Sequence, residues 1–310
     1  MHDDPTLFGH RTVTPDAVAR FAELTGDYAR IHVDQALGRV TPQGRGFAHG
    51  LLSASWALGA LSRARPGRVG RTDPNRCVTA FEVRFGDVVS FGDTLGFRCD
   101  ESEAIGEVKR SPFACITDDG RVVTTGAVEV GSPGDAAPAT PWPAEPYVGL
   151  DMAPGEEWRA EDFADRGPSG VLPVRTFTEA DVVAWTGFTA DLDPLWLHAP
   201  FAEASPFGAR TVPPMLAFCL GFSTWLDTLL SLPLAGDQSS AGHLGDRWRF
   251  VAPIHLGDSV EVRFRPERLR RTRSEPVRGI LTYGLQLVNQ RGDVVQEGEV
   301  DMMMAVRDAA

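Results

Sequence analysis

Thr14-Pro15-Asp16-Ala17-Val18, followed by Asp27 and then by an apolar run from Leu51, is a pattern that the chain spells twice. Along the second half the same positions fall on Thr178-Glu179-Ala180-Asp181-Val182, Asp191 and Met215. Thr41-Pro42-Gln43-Gly44 likewise falls on Ser205-Pro206-Phe207-Gly208, and Phe85…Gly92-Asp93 falls on Phe250…Gly257-Asp258. Further on, Gly120-Arg121-Val122-Val123 matches Gly292-Asp293-Val294-Val295. One order of elements used twice predicts two copies of one fold, and a chain of 310 residues suits two ordinary domains.

Working outward, the stretch 131–170 is rich in Pro, Gly, Ala and acidic residues, too poor in apolar surface to fold alone. It reads as a linker between an N-terminal domain, 1–130, and a C-terminal domain, 171–310. Each copy opens on a short helix with Thr14 or Thr178 as N-cap and an acidic residue in the first turn. A loop carrying Asp27 or Asp191 follows, and then a long apolar helix, Gly50–Ser62 or Pro214–Leu230. The remainder reads as strands: Cys77–Phe85, Thr94–Asp100, Ser111–Thr117 and Val122–Val130 in the first copy. In the second they are Arg247–Val251, Ser259–Arg268, Ile280–Asn289 and Val294–Ala305, with alternation such as Val260-Glu261-Val262-Arg263-Phe264. One long helix wrapped by an antiparallel sheet is α+β, and two copies would pair their sheets.

A net charge of −12 argues against nucleic acid, whose phosphates need a basic face. Cys77, Cys99, Cys115 and Cys219 form no CxxC pair and no disulfide or zinc spacing. The most apolar run, Met215 to Leu234, is broken by Asp227 and Pro233, which suits a buried helix better than a membrane span. With an acidic N-terminus lacking an apolar signal segment, the expectation is a cytoplasmic, reduced protein.

Phe21-Ala22-Glu23-Leu24-Thr25-Gly26-Asp27-Tyr28-Ala29-Arg30-Ile31-His32-Val33-Asp34 resembles the signature of MaoC-like dehydratases and (R)-specific enoyl-CoA hydratases, Thr-Gly-Asp-x-Asn-Pro-Leu/Ile-His-x-Asp. Ala48-His49-Gly50-Leu51-Leu52 resembles the family's Ala-His-Gly-Met-Leu entry into its central helix. Phe250-Val251-Ala252-Pro253-Ile254…Gly257-Asp258 and Gly92-Asp93-Thr94-Leu95 resemble its strand hallmark. The resemblance covers nearly the whole chain outside the linker and implies two fused hot-dog domains. It also implies cofactor-free, metal-free hydration or dehydration of a 2-enoyl or 3-hydroxyacyl thioester, with Asp27 and His32 as the acid–base pair. Ala29 and Arg30 depart from the family's Asn-Pro, which bears on loop geometry and substrate choice. In the second copy Trp196 falls on His32, Pro213-Pro214 replaces His49-Gly50, and His198 would substitute only across a two-residue insertion. Tryptophan shuttles no proton and Pro214 has no N–H, so that copy reads as catalytically degenerate and as room for the substrate.

The chemistry needs a base, an acid and donors for an enolate-like oxygen. Asp27 and His32 can meet on one water, while the Gly50 N–H at a helix start can serve the oxygen, with His49 ordering that turn. Arg30 can pair with Asp27 or with a carboxylate on the substrate. Arg63, Arg65, Arg68 and Arg71, and Arg268, Arg270, Arg271 and Arg273, read first as solvated charge, with one group kept as a phosphate contact for coenzyme A or a carrier-protein arm. Trp56, Trp185, Trp225 and Trp248 read as core or tunnel lining. Two other functions stay open: a hot-dog thioesterase, against which Gly50–Ser62 offers no carboxylate, and a non-catalytic acyl-thioester-binding or assembly subunit. Neither membrane nor nucleic acid is an expected partner, and a monomer and a homodimer both fit.

Overall fold

The computed structural model describes residues 7–38, 44–64, 73–133, 137–236, 242–273 and 276–307. Positions 41–43 of the repeat and Arg65, Arg68 and Arg71 lie outside the described residues. The two copies form one antiparallel sheet. Its first half holds β1 (Leu7–Thr12), β3 (Thr94–Cys99), β5 (Val108–Thr117), β6 (Val122–Gly131) and β2 (Cys77–Phe85), in that spatial order, with the short β4 (Glu103–Ile105) beside β5. It continues through β8 (Gly242–Phe250), β11 (Val294–Met304), β10 (Gly279–Asn289), β9 (Ser259–Arg271) and β7 (Gly170–Thr176). The second set mirrors the first outward from the β2–β8 pairing, where Phe81 faces Trp248 and Val83 faces Asp246.

Each half-sheet wraps one long helix, α4 (Gly50–Ala64) or α9 (Pro214–Leu230). α4 is lined with small residues, and a Cβ at Gly59 would stand 2.1 Å from the Thr189 carbonyl, so only glycine admits that approach. α9 is apolar nearly all round, as a helix covered on every side must be. Phe81 of the first half reaches Phe218 of α9 at 6.3 Å, and Phe218 meets Trp248 at 4.6 Å, so one core crosses the seam.

α1 (Pro15–Thr25) and α6 (Glu179–Thr189) show how the repeated cap signals work. Thr14 Oγ1 accepts the Ala17 N–H, while the Asp181 carboxylate accepts from the Thr178 N–H and hydroxyl. α1 ends on Gly26 at φ 81°, and α6 ends on Ala190 at φ 58°, which places a side chain in the left-handed region. The edge strands β1 and β7 were not among the expected strands. The stretch expected to be a bare linker differs more: it carries α5 (Ala160–Arg166) and buries Trp158, Ala160 and Phe163. β9 also runs on to Arg271, past its pairing with β7, and there Arg268 pairs with Glu299 and Arg271 with Glu161. None of the four cysteines is in a disulfide, and no helix among the described residues is long and apolar enough to cross a membrane.

Candidate active site

A cavity of about 430 Å³ opens where the two halves meet. Asp27, Ala29, Ile31, His32, Phe47, His49 and Gly50 form its first-half wall. Phe222, Leu226 and Leu230 of α9, His243 of β8 and Met302 of β11 form the wall opposite.

Asp27 follows the Gly26 helix end directly, and its Oδ1 accepts the Ala29 N–H at 3.2 Å, an Asx turn that leads into the single-turn helix α2 (Arg30–Val33). That turn swings His32 back over Asp27. His32 Nδ1 lies 3.1 Å from the Phe47 carbonyl, and because a carbonyl only accepts, Nδ1 carries the proton and Nε2 keeps a lone pair. His49 donates from Nε2 to the main-chain carbonyl of Asp27 at 2.9 Å, which leaves its buried Nδ1 without a partner. The two rings lie 4.0 Å apart between centroids. Donor atoms of Asp27, His32 and His49 all fall within 4.8 Å of one another, and these are also the atoms a divalent cation would use.

Burial governs the electrostatics. It holds the His32 imidazole down at about 3, reinforced by the neighbouring His49 and opposed by the Asp27 charge. Burial likewise holds His49 at about 4, against the hydrogen bond to the Asp27 carbonyl. Both rings are therefore neutral at neutral pH, and His32 presents a base rather than a cation.

Gly50 is the first residue of α4, and its N–H meets no acceptor among the described residues. A Cβ on Gly50 would lie 2.8 Å from the Phe85 ring, so glycine is what lets that ring close the wall beside the free N–H. Ser53 Oγ donates to the Gly50 carbonyl at 2.7 Å and lies 2.9 Å from Thr124 Oγ1, tying the helix entry to β6. The Gly-Asp hallmark is scaffolding: buried Asp93 takes Arg45, Arg121 and the Ser90 N–H, which holds the 86–93 loop against the cavity.

Arg30 does not join the group. It pairs with Asp34 at 3.0 Å with 71% of its side chain exposed, because the α2 turn points it outward while His32 points in. Of the first arginine group only Arg63 is described, and its Nε donates to the Gly59 carbonyl. Sequence reasoning missed Phe85, Ser53, Thr124 and the whole second-half wall.

The second half has its own cavity of about 440 Å³ at the equivalent place, lined by Trp196, Pro214, Phe250 and His255 among others. There the Trp196 indole N–H donates to the Asp191 carbonyl at 3.1 Å, the bond that His49 makes to Asp27 in the first half. His198 stands outside on the surface, its Nδ1 accepting the Phe201 N–H at the start of the short helix α8 (Ala199–Glu203). It does not take the place of His32.

Residues 1–118 match the MaoC like domain, and residues 175–298 match the FAS1-like dehydratase domain region. The 3-hydroxybutyryl-CoA dehydratase of Methylorubrum extorquens is 30% identical over 110 residues, which make up 36% of this chain and 66% of that protein. Among solved structures, a MaoC domain protein of Chloroflexus aurantiacus superposes with a TM-score of 0.68 at 17% identity, covering 96% of this chain and 94% of its own. A Mycobacterium tuberculosis protein with a double hotdog fold superposes at 0.64 and 17% identity, covering 96% and 93%. The chain is thus a double hot-dog protein whose residues 1–118 match the MaoC like domain and whose residues 175–298 match the FAS1-like dehydratase domain region.

Proposed function

We propose that this protein is a hydro-lyase that interconverts a 2-enoyl and a 3-hydroxyacyl thioester in the first-half cavity, using Asp27 and His32. The observation that carries the reading is the meeting of the Asp27 carboxylate, a neutral His32 and the unpaired Gly50 N–H around one cavity. In the hydration direction the thioester carbonyl sits at the Gly50 N–H, where the start of a long helix favours developing negative charge. A water held between Asp27 and His32 loses a proton to one of the pair as its oxygen adds to C3, and the pair returns that proton to C2 of the resulting enolate from the same face. Dehydration runs the steps in reverse. The apolar wall of Phe222, Leu226, Leu230 and Met302 suits an acyl chain. The 3-hydroxybutyryl-CoA dehydratase relative favours coenzyme A as the thioester carrier over a carrier protein.

The test follows the conjugated enoyl-thioester absorbance with crotonyl-CoA and longer trans-2-enoyl-CoAs. The reading expects loss of absorbance and a single 3-hydroxyacyl-CoA enantiomer. Release of free coenzyme A instead would support a thioesterase. Binding of both thioesters with neither reaction would support an acyl-thioester-binding subunit.

A further inference from the structure

The cavity wall holds a second histidine–carboxylate pair that the acid–base chemistry leaves unused. His243, near the start of β8, places Nε2 2.8 Å from Asp246 Oδ1, with 15% of the histidine side chain and none of the aspartate side chain exposed. Residues three apart in a regular strand point to opposite faces. Here Gly245, at φ 155° and pressed against the Val83 carbonyl, together with a register shift between Asp301 and Met302, brings the two side chains together. The ring is clamped on its faces, stacked on Phe222 at 4.6 Å and 21° and tilted against Phe85 at 4.8 Å. Nε2 is committed to Asp246, and Nδ1, the other polar atom of this cavity-lining ring, has no partner among the described residues.

Such a pair is costly to keep. Asp246 is 2% exposed and its Oδ2 has no hydrogen-bond partner. A buried carboxyl group with an unsatisfied oxygen costs stability, so stability alone gives little reason for the pair. Its position gives one. The Phe85 ring lies against both Gly50 and His243, so a single aromatic ring links His243 to the Gly50 N–H proposed to hold the thioester carbonyl. Leu226, Leu230 and Met302 line the same cavity.

Resting on the hydro-lyase reading of the same cavity, we infer that His243, positioned by Asp246, is a specificity subsite for a neutral oxygen function, a hydroxyl or ketone, on the acyl chain beyond the reacting carbons. A carboxylate fits less well. It would enter a cavity lined by the carboxyl groups of Asp27 and Asp87, in which burial keeps His32 and His49 uncharged.

The experiment compares trans-2-octenoyl-CoA with its chain-terminal hydroxy, keto and carboxy counterparts. Turnover is followed by enoyl absorbance, and the dissociation constants of the saturated, unreactive analogues are measured by calorimetry. In the wild-type protein the hydroxy or keto chain should bind about tenfold more tightly than the methyl-ended chain, one hydrogen bond's worth, and the carboxy chain no more tightly. His243→Phe, which keeps the stack, should abolish the preference, read as the ratio of the hydroxy or keto constant to the methyl-ended constant within the variant. Asp246→Asn should shrink the ratio in the same way. The inference is overturned if the wild type shows no preference, if a preference survives in His243→Phe, or if only the carboxy chain gains. Calorimetry needs no turnover, so binding preference without hydration would sink the hydro-lyase reading and spare the subsite.

Discussion

Holding two imidazoles neutral inside the cavity makes the protein acid-sensitive, and His49 isolates the effect. A group whose folded value lies below its ordinary value stabilises the fold above the ordinary value, and that contribution falls as pH drops toward the folded one. With folded values of about 4 for His49 and about 3 for His32, against an ordinary 6.5, the window runs from about pH 6.5 downward. As pH falls from 7.5 to 5.0, proton uptake on unfolding rises from about a tenth to about nine-tenths of a proton per histidine. That removes about 2 kcal/mol of stability for His49, and up to about 2 more for His32, whose cavity-facing ring is the less fully desolvated. Asp246 and Asp227, pushed up by burial, act with the opposite sign, so wild type and His49→Gln are compared and those contributions cancel. Glutamine can still donate to the Asp27 carbonyl but does not titrate. Urea unfolding at the two pH values should show the variant losing about 2 kcal/mol less than wild type. Equal losses in the two proteins would refute the claim that burial keeps His49 neutral.

Further expectations follow from the same geometry. If His32 works as a neutral base, kcat/KM in short assays should stay level from pH 8 to about pH 5 and fall only below that, whereas an ordinary histidine would bend the profile near 6.5. Gly50→Ala drives a methyl into Phe85 and should cost about 1–3 kcal/mol in kcat/KM, with Phe85→Leu restoring part of it. No restoration would mean that the Phe85 contact is not what glycine serves. Ala190→Gly relieves a left-handed alanine and should raise stability by about 0.5–1 kcal/mol, read as a shift in urea midpoint at constant slope. Arg30→Ala should leave the kinetics unchanged on every active thioester, since its partner is Asp34.

The repeated caps at Thr14 and Thr178 and the apolar helices at 50 and 214 were legible because each rests on local chemistry: a side-chain acceptor at a helix start, or an unbroken apolar run. Pro214–Leu230 and Cys77–Phe85 were read with the boundaries that they have. β1 and β7 were not legible, because Gly9 and Pro173 break their pattern and only the neighbours β3 and β9 make them strands. Trp158 and Phe163 sit in a Pro/Gly-rich stretch whose composition hides the few residues that anchor it to the core. At the site, the resemblance singled out Asp27 and His32, but Arg30 shows how one helical turn decides which neighbours point inward. His243 escaped notice because Gly245 interrupts the alternation, so the strand was expected to begin only at Arg247. No local signal reveals that β8 forms the far wall of a cavity opened by the other copy.

The most direct test substitutes Asp27→Asn and His32→Ala and measures two quantities in each: the rate of enoyl-CoA hydration and the dissociation constant of a saturated acyl-CoA. The account predicts a loss of about two to four decades in rate in each variant, with binding within a few-fold of wild type. Hydration that persists in both variants at near wild-type rates would place the chemistry elsewhere and contradict it.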